Sequence, residues 1–80
     1  MSVTKAYEEV IDFIAAGSSS RALAEFLPSE VVKARVAELL DQEKEGSLST
    51  DDKAELDDYL RLEHIMRLAK ARARQHLPAK

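Results

Sequence analysis

The acidic stretch LLDQEKEGSLSTDD contains the residue spacing of a calcium-binding loop. Such a loop places oxygen ligands at positions 1, 3, 5, 7, 9 and 12, with glycine at position 6 and a bidentate glutamate at position 12. Counted from Asp41, positions 3, 5, 6 and 12 are Glu43, Glu45, Gly46 and Asp52. The carboxylates of this stretch therefore have the type and spacing to bind a hard cation such as Ca²⁺.

The same stretch also has the features of a short joint between two helices. Glutamates replace the shorter Asp or Asn at two ligand positions, and Asp52 lacks the reach of the closing glutamate. Gly46 suits a left-handed C-terminal cap, beyond which Leu48 can fold back onto the apolar face. Ser49 suits the N-cap of the next helix, with Asp52 completing a shortened capping box. We predict a joint without a metal or other cofactor, and keep a calcium-binding helix-loop-helix at residues 41–52 as an alternative.

Two histidines, His64 and His76, are the other side chains suited to catalysis. On a helical wheel His64 lies on the polar side with Asp57 and Arg61. An Asp57–His64 pair could orient an imidazole, but no serine or cysteine nucleophile and no third ligand is in register. The sequence also lacks a glycine-rich phosphate loop. We therefore expect no enzymatic activity and no catalytic residue.

The C-terminal stretch RLAKARARQH carries four cations, Arg67, Lys70, Arg72 and Arg74. Cations in the last turns of a helix are favourable with the helix dipole whatever the function. The same cations could bind nucleic-acid phosphates, but the aromatic or polar side chains that read bases are missing. A protein contact is the preferred interpretation, and a small nucleic-acid-associated regulatory protein is the alternative.

Size and composition indicate what must support the fold. Eighty residues make a single domain, residues 1–80, and a chain of this size buries only about 60% of its unfolded surface. Cysteine is absent, which excludes disulfides and thiolate metal sites and fits a reducing compartment. No apolar run approaches the roughly 20 residues of a membrane span, and the N-terminal stretch lacks the basic start of a signal peptide. We expect a cytoplasmic protein that is supported by a partner and does not contact a membrane.

The net charge of −3 conceals an asymmetry along the chain. Residues 1–58 hold 14 acidic and 6 basic residues, a net charge of −8, whereas residues 59–80 hold one acidic and 6 basic residues, a net charge of +5. A basic segment of this kind favours contact with an acidic surface on another copy, on another protein or on nucleic acid.

The pattern of apolar residues predicts an all-α fold. Three shorter helices are expected to pack along a long C-terminal helix, as in a helical bundle, with boundaries near residues 3–16, 20–26, 30–45 and 50–77. Helix starts are marked by serines that can accept from free backbone N–H groups: Ser19, Ser29 and Ser49. Helix ends are marked by residues that interrupt the helix: Gly17, Pro28, Gly46 and Pro78.

The apolar spacing also predicts which side chains face the core. In the first three helices these are Val3, Ala6, Tyr7, Val10, Phe13, Ile14, Leu23, Phe26, Leu27, Val32, Val36, Leu39 and Leu40. In the fourth helix, Leu56, Tyr59 and Leu60 are assigned to the core of the same chain.

The fourth helix is too long to be covered by the other three. Twenty-seven residues span about 40 Å, whereas a compact 80-residue globule is only about 30 Å across. Its apolar residues also cover more than half of the helix circumference, which is typical of a helix with more than one neighbour. We therefore predict a homodimer joined through this helix, with a seam formed by Leu62, Ile65, Met66, Ala69 and Ala73.

The segments IAAGSSSRALAEFLPSEVVKARVAELL and EGSLSTDDKAELDDYLRLEHIMRLAKARA carry a family resemblance. Together they resemble a group of short, uncharacterised bacterial proteins, mainly cyanobacterial. The shared pattern is F-x-P-S-E, then E-G-x-L-S/T, E-L-D-x-Y, L-E-H and K-A-R-A. The matching residues are Phe26, Pro28, Ser29, Glu30, Glu45, Gly46, Leu48, Ser49, Glu55, Leu56, Asp57, Tyr59, Leu62, Glu63, His64, Lys70, Ala71, Arg72 and Ala73.

The resemblance covers roughly residues 14–74, and Thr50 departs from it where a proline is common in the group. Genes of the group often lie beside nuclease or toxin genes. The resemblance therefore implies an antitoxin-like or accessory role, with a toxin or nuclease as a heterologous protein partner. It assigns no chemistry to the run Leu62, Glu63 and His64.

Overall fold

The computed structural model describes residues 5–78, which form four α-helices and no β-strand. The helices are α1 (Ala6–Ala15), α2 (Ser20–Glu25), α3 (Glu30–Glu45) and α4 (Thr50–Gln75). This confirms the predicted all-α fold with three shorter helices along a long fourth one. The predicted bounds of α3 are correct, α4 ends two residues early at Gln75, and Val3 lies outside the described residues.

The predicted serine caps begin three of the helices. The side chain of Ser19 accepts a hydrogen bond from Ala22 N–H at 3.1 Å. The corresponding bonds at the starts of α3 and α4 join Ser29 to Val32 N–H and Ser49 to Asp52 N–H. Each serine satisfies a backbone donor that the first turn of a helix leaves free.

The joint between α3 and α4 is formed by residues 46–49 alone. Gly46 has φ 73°, a left-handed conformation that favours glycine. Its N–H donates to Glu43 O at 3.1 Å, and Ser47 N–H donates to Gln42 O at 3.0 Å, the bond pair of a Schellman cap. Because α3 continues to Glu45, the acidic residues of the calcium interpretation lie in a helix rather than in a ligand loop.

The core lies where α1, α2 and α3 pack against α4. Ala6, Val10, Val32, Tyr59 and Met66 form its buried cluster. Leu39 of α3 and Leu56 of α4 are fully buried as well. The ring centroids of Phe13 and Phe26 lie 4.5 Å apart, so these two side chains pack α1 against the end of α2.

Four residues predicted to face the core are instead exposed: Ile14, Leu27, Leu40 and Leu60. The physical reason is the thinness of the molecule, which measures 47 × 28 × 18 Å. Packed helix axes lie about 8–10 Å apart, so a thickness of 18 Å holds about two helices. Each helix therefore buries only a narrow strip, and apolar residues at the edge of that strip remain in contact with solvent.

The molecule is also more elongated than a compact domain of its length. Its radius of gyration is 14.5 Å, whereas about 12 Å is expected for 80 residues. The 26 residues of α4 span about 39 Å, further than the shorter helices can cover. Within residues 5–78, none of the helices has the length and apolarity needed to cross a membrane.

Candidate functional site

The five residues of the predicted seam differ in how deeply they are buried within the single chain. Met66 and Ala73 are buried in the single chain, Leu62 and Ala69 are half-buried, and Ile65 is 50% exposed. The assignment of Met66 and Ala73 to an intermolecular seam is therefore corrected. Met66 and Ala73 lie on the strip of α4 that continues from Tyr59. This strip packs against the other helices of the same chain.

An exposed apolar surface remains beside that strip, where α1 and α4 run side by side. Ala6 lies against Glu55 at the start of α1, and Val10 packs with Tyr59 and Met66 one turn later, so the two helices are parallel. We define the Ile65 face as the apolar residues on this side of the pair: Ile11, Ile14, Leu62, Ile65 and Leu68.

A shallow hollow joins the two halves of the Ile65 face. Ile11 of α1 and Leu62 of α4 both line it, together with Tyr7, Asp58 and Arg61, and its volume is about 240 Å³. Ile14 follows Ile11 by three residues, and Ile65 follows Leu62 by three residues. Each therefore lies one turn further along its helix. The Ile65 face therefore has apolar residues on both α1 and α4, joined by this hollow.

A second surface, the connector groove, lies between α4 and the segment that links α2 to α3. Its volume is about 230 Å³. Its floor and walls are mostly apolar, and charged side chains lie at its rim; the lining residues are Val10, Phe26, Leu27, Pro28, Tyr59, Glu63, Met66, Arg67 and Lys70. Burial, followed by the nearby Glu63 and Glu9 carboxylates, raises the pKa of Tyr59 above its ordinary value of 10.0, so the phenol is neutral at physiological pH.

The predicted basic patch is not a single surface. Lys70 Nζ donates to Phe26 O at 2.8 Å and so caps the end of α2. Arg67 lies 3.6 Å from Glu63. Arg67, Lys70 and Arg74 share one side of α4 by their three-and-four spacing, whereas Arg72 lies about 200° around the helix from Lys70. The patch therefore provides three cations on one side, of which Lys70 has a structural contact.

An ion cluster at Glu55 was not predicted from the sequence. Glu55 is 3% exposed. Its carboxylate accepts from Arg35 Nη2 at 2.9 Å and Nε at 3.2 Å, and from Ala6 N–H at 2.8 Å. Arg35 Nη2 also donates to Asp52 at 3.0 Å. The Asp52 side chain is thus paired with Arg35 rather than completing the predicted capping box at Ser49.

The cluster favours the charged form of both main partners. The hydrogen bond from Arg35 is the largest influence on Glu55 and, with the Ala6 N–H, outweighs burial and lowers the pKa of the carboxyl group. The hydrogen bond to Glu55 likewise raises the pKa of Arg35. Because these groups bond to one another and to the start of α1, the cluster positions helices rather than presenting a reactive group.

A signal for the cluster is present in the sequence. Glu55 lies on the same helical strip as Tyr59 and Leu62, and Arg35 lies between Val32 and Leu39 on the strip of α3. Opposite charges on the apolar strips of two adjacent helices indicate a buried ion pair.

The Asp57–His64 pair that the sequence analysis considered and set aside is not formed. Asp57 lies 3.6 Å from Lys53 Nζ, and His64 is exposed. Within residues 5–78, no group of three or more His, Asp or Glu side chains is arranged to hold a metal ion.

None of the protein-family models, curated proteins or solved structures compared with this chain matches it. The resemblance to short bacterial proteins therefore stays a prediction. The Ile65 face and the connector groove are the two surfaces of the described residues that are suited to binding another molecule.

Proposed function

We propose that this protein is a non-enzymatic protein–protein interaction module that forms a homodimer through the Ile65 face. The observation that carries the proposal is the exposed apolar surface shared by α1 and α4, on which Ile65 is 50% exposed. Apolar surface of this kind, rimmed by polar residues, marks interaction sites on small proteins. The absence of cysteine fits an action in the reducing cytoplasm.

The balance of apolar residues supports the proposal. Among the described residues, eight apolar residues are buried, and eight large apolar side chains are exposed. Burying one such side chain fully stabilises a protein by about 1.5–3 kcal/mol. In a symmetric dimer each contact occurs twice, so the interface buries two copies of every apolar residue of the face.

Sedimentation equilibrium of the wild type, Ile65→Asp and Leu60→Asp tests the dimer. Leu60 is a matched control because it is 40% exposed on the same helix but lies outside the Ile65 face. We expect a dimer for the wild type and Leu60→Asp, and a folded monomer for Ile65→Asp. A wild type that remains monomeric over a roughly hundredfold range of concentration above micromolar would refute the dimer.

We further propose that the connector groove holds a heterologous protein, in the antitoxin-like or accessory role that the family resemblance implies. Its apolar walls and the exposed cation Arg67 suit a partner segment in which an apolar side chain lies beside an acidic residue. The groove lies on the opposite side of α4 from Ile65, so both surfaces can be occupied at once.

Co-purification of tagged variants from the source cell tests this partner. Leu27, in the groove, is 71% exposed, and Val31, outside it, is 80% exposed. Both can therefore be changed to glutamate without disturbing the core. We expect Leu27→Glu to lose a partner that the wild type and Val31→Glu retain. Equal recovery by both variants would place the partner elsewhere, and recovery of no protein by the wild type would contradict the role.

A nucleic-acid role is the alternative function. The shared side of Arg67, Lys70 and Arg74 favours it, whereas the contact of Lys70 with Phe26 O counts against it. Phosphate binding by these cations would weaken steeply with salt through counterion release. We expect no mobility shift of duplex or single strands at low salt. A shift that salt abolishes and Arg67→Ala reduces would favour the alternative.

A further inference from the structure

We propose that the homodimer pairs two α4 helices in antiparallel orientation, with Ile65 on the two-fold axis and Asp58 of each chain against Arg72 of the other. This inference rests on the proposed dimerisation through the Ile65 face and adds its orientation and its polar contacts.

Asp58, Ile65 and Arg72 lie on one strip of α4. They are spaced by seven residues, and a straight helix drifts only about 20° per heptad. Asp58 and Arg72 are therefore on the same side of the helix as Ile65, each about 10.5 Å from it along the axis. A two-fold axis at Ile65 brings Asp58 of one chain to the level of Arg72 of the other.

The charges select the antiparallel orientation. Arg72 is exposed and makes no ion pair or hydrogen bond with any residue between 5 and 78. Asp58 is half-exposed and pairs only with Arg61 of its own turn, at 3.0 Å, among the described residues. A parallel pair would place Asp58 against Asp58 and Arg72 against Arg72. Like charges brought together in this way oppose binding, and opposite charges favour it.

The apolar residues of α4 are arranged symmetrically about the same point. Leu62 lies three residues before Ile65, and Leu68 lies three residues after it. In the antiparallel pair, Leu62 of one chain therefore lies at the same height along the helix axis as Leu68 of the other chain. This correspondence occurs once on each side of the Ile65 contact. The two-fold axis also places both α1 helices on the same side of the pair. Ile11 and Ile14 of both chains therefore lie on the same side of the dimer and extend its apolar surface there.

Disulfide cross-linking tests the orientation, because the chain contains no cysteine of its own. A disulfide requires Cα atoms within about 7 Å. In the antiparallel dimer two copies of residue 65 meet, whereas two copies of residue 58 are separated by about 21 Å along the axis. We expect Ile65→Cys to cross-link with itself, Asp58→Cys alone to remain unlinked, and a mixture of Asp58→Cys and Arg72→Cys to form a mixed disulfide.

The outcomes separate the orientation from the proposed function. Self-cross-linking of Asp58→Cys, with a wild type that sediments as a dimer, would overturn the antiparallel arrangement and leave the dimer intact. A wild-type monomer would refute the proposed dimer itself. Lys44→Cys, on an exposed position of α3, is the control for random collision.

Charge reversal gives a second readout that needs no covalent trap. Asp58→Arg leaves only cations at the two ends of the strip, and Arg72→Asp leaves only anions. We expect each variant alone to raise the dimer Kd by roughly tenfold or more, and a mixture of the two to restore association. A mixture that associates no better than either variant alone would overturn the proposed contact.

Discussion

Glu55 is the one charged residue that the described core buries, at 3% exposure. Removing a carboxylate from water is costly, and the cost is offset only by good geometry and full hydrogen bonding. Glu55 has both, with two bonds from Arg35 and one from Ala6 N–H. Removing one partner of such an ion pair destabilises the fold by more than the intact pair stabilises it, because the remaining charge stays partly buried.

We predict that Glu55→Gln lowers the free energy of unfolding by about 2 kcal/mol, since one amide oxygen replaces two charged acceptors. The pH dependence gives the specific signature. The folded pKa of Glu55 is below its ordinary value of 4.5. Its contribution to stability is therefore present above pH 4.5 and is lost as pH falls through the lower folded pKa. Thermal melts followed by circular dichroism should show a steeper loss in acid for the wild type than for Glu55→Gln.

Glu38→Gln is the matched control for this prediction. Glu38 also pairs with Arg35, at 3.2 Å, but it is exposed. Exposed pairs contribute about 0–1 kcal/mol, so this variant should melt close to the wild type and keep its acid dependence. Equal melting of Glu55→Gln and Glu38→Gln would show that the buried cluster does not stabilise the fold.

At the scale of the helices, three ends are satisfied by side chains from another helix. Glu55 of α4 accepts from the first N–H of α1, where Lys5 provides no side-chain cap. Glu9 of α1 accepts from Ser29 N–H at 2.8 Å. Lys70 of α4 donates to the carbonyl that ends α2. These bonds satisfy backbone groups that helix ends leave free, and they also fix how the helices sit against one another.

We predict that Lys70→Met destabilises the protein by about 1–2 kcal/mol, because the Phe26 carbonyl loses a charged donor while the apolar stem is kept. Arg74→Met, which removes a charge from the same exposed side of α4, should change the free energy of unfolding by less than about 0.5 kcal/mol. Urea unfolding of the two variants measures the difference. Equal effects would show that the Lys70 bond contributes nothing beyond the positive charge.

The whole molecule is 18 Å thick and 47 Å long. A molecule about two helices thick leaves one side of every helix in solvent, and α4 extends beyond the helices that cover it. In the proposed dimer, a second copy covers apolar residues that the chain's own core cannot reach. The stability of the folded state then depends on the concentration of protomers.

We predict that the melting temperature of the wild type rises with protein concentration over a roughly hundredfold range, since a dimer melts later when mass action favours it. Ile65→Asp should melt at the same temperature throughout that range, whereas Leu60→Asp should follow the wild type. Differential scanning calorimetry measures all three. A constant wild-type melting temperature would indicate that the monomer is the stable unit.

The serine caps, the left-handed Gly46 and the bounds of α3 were all predicted from the sequence. Each of these features depends on groups within one or two turns, so local pattern is sufficient. Of the candidate interaction residues, Ile65 was predicted and is exposed, but Leu68, Ile11 and Ile14 were not assigned to that surface. Ile14 was placed in the core because its spacing from Val10 and Tyr7 is that of a buried strip.

Local sequence thus determined the helices of this protein, and only the tertiary structure decided which face of each helix is covered. Apolar residues surround more than half of α4, so periodicity alone does not distinguish Met66, which is buried, from Ile65, which is exposed. The partner of Glu55 was also decided by tertiary structure, because Arg35 is 20 residues away in the chain and meets it only after α3 folds back along α4. Helix formation is governed by neighbours in sequence, whereas burial is governed by which helices are near in space.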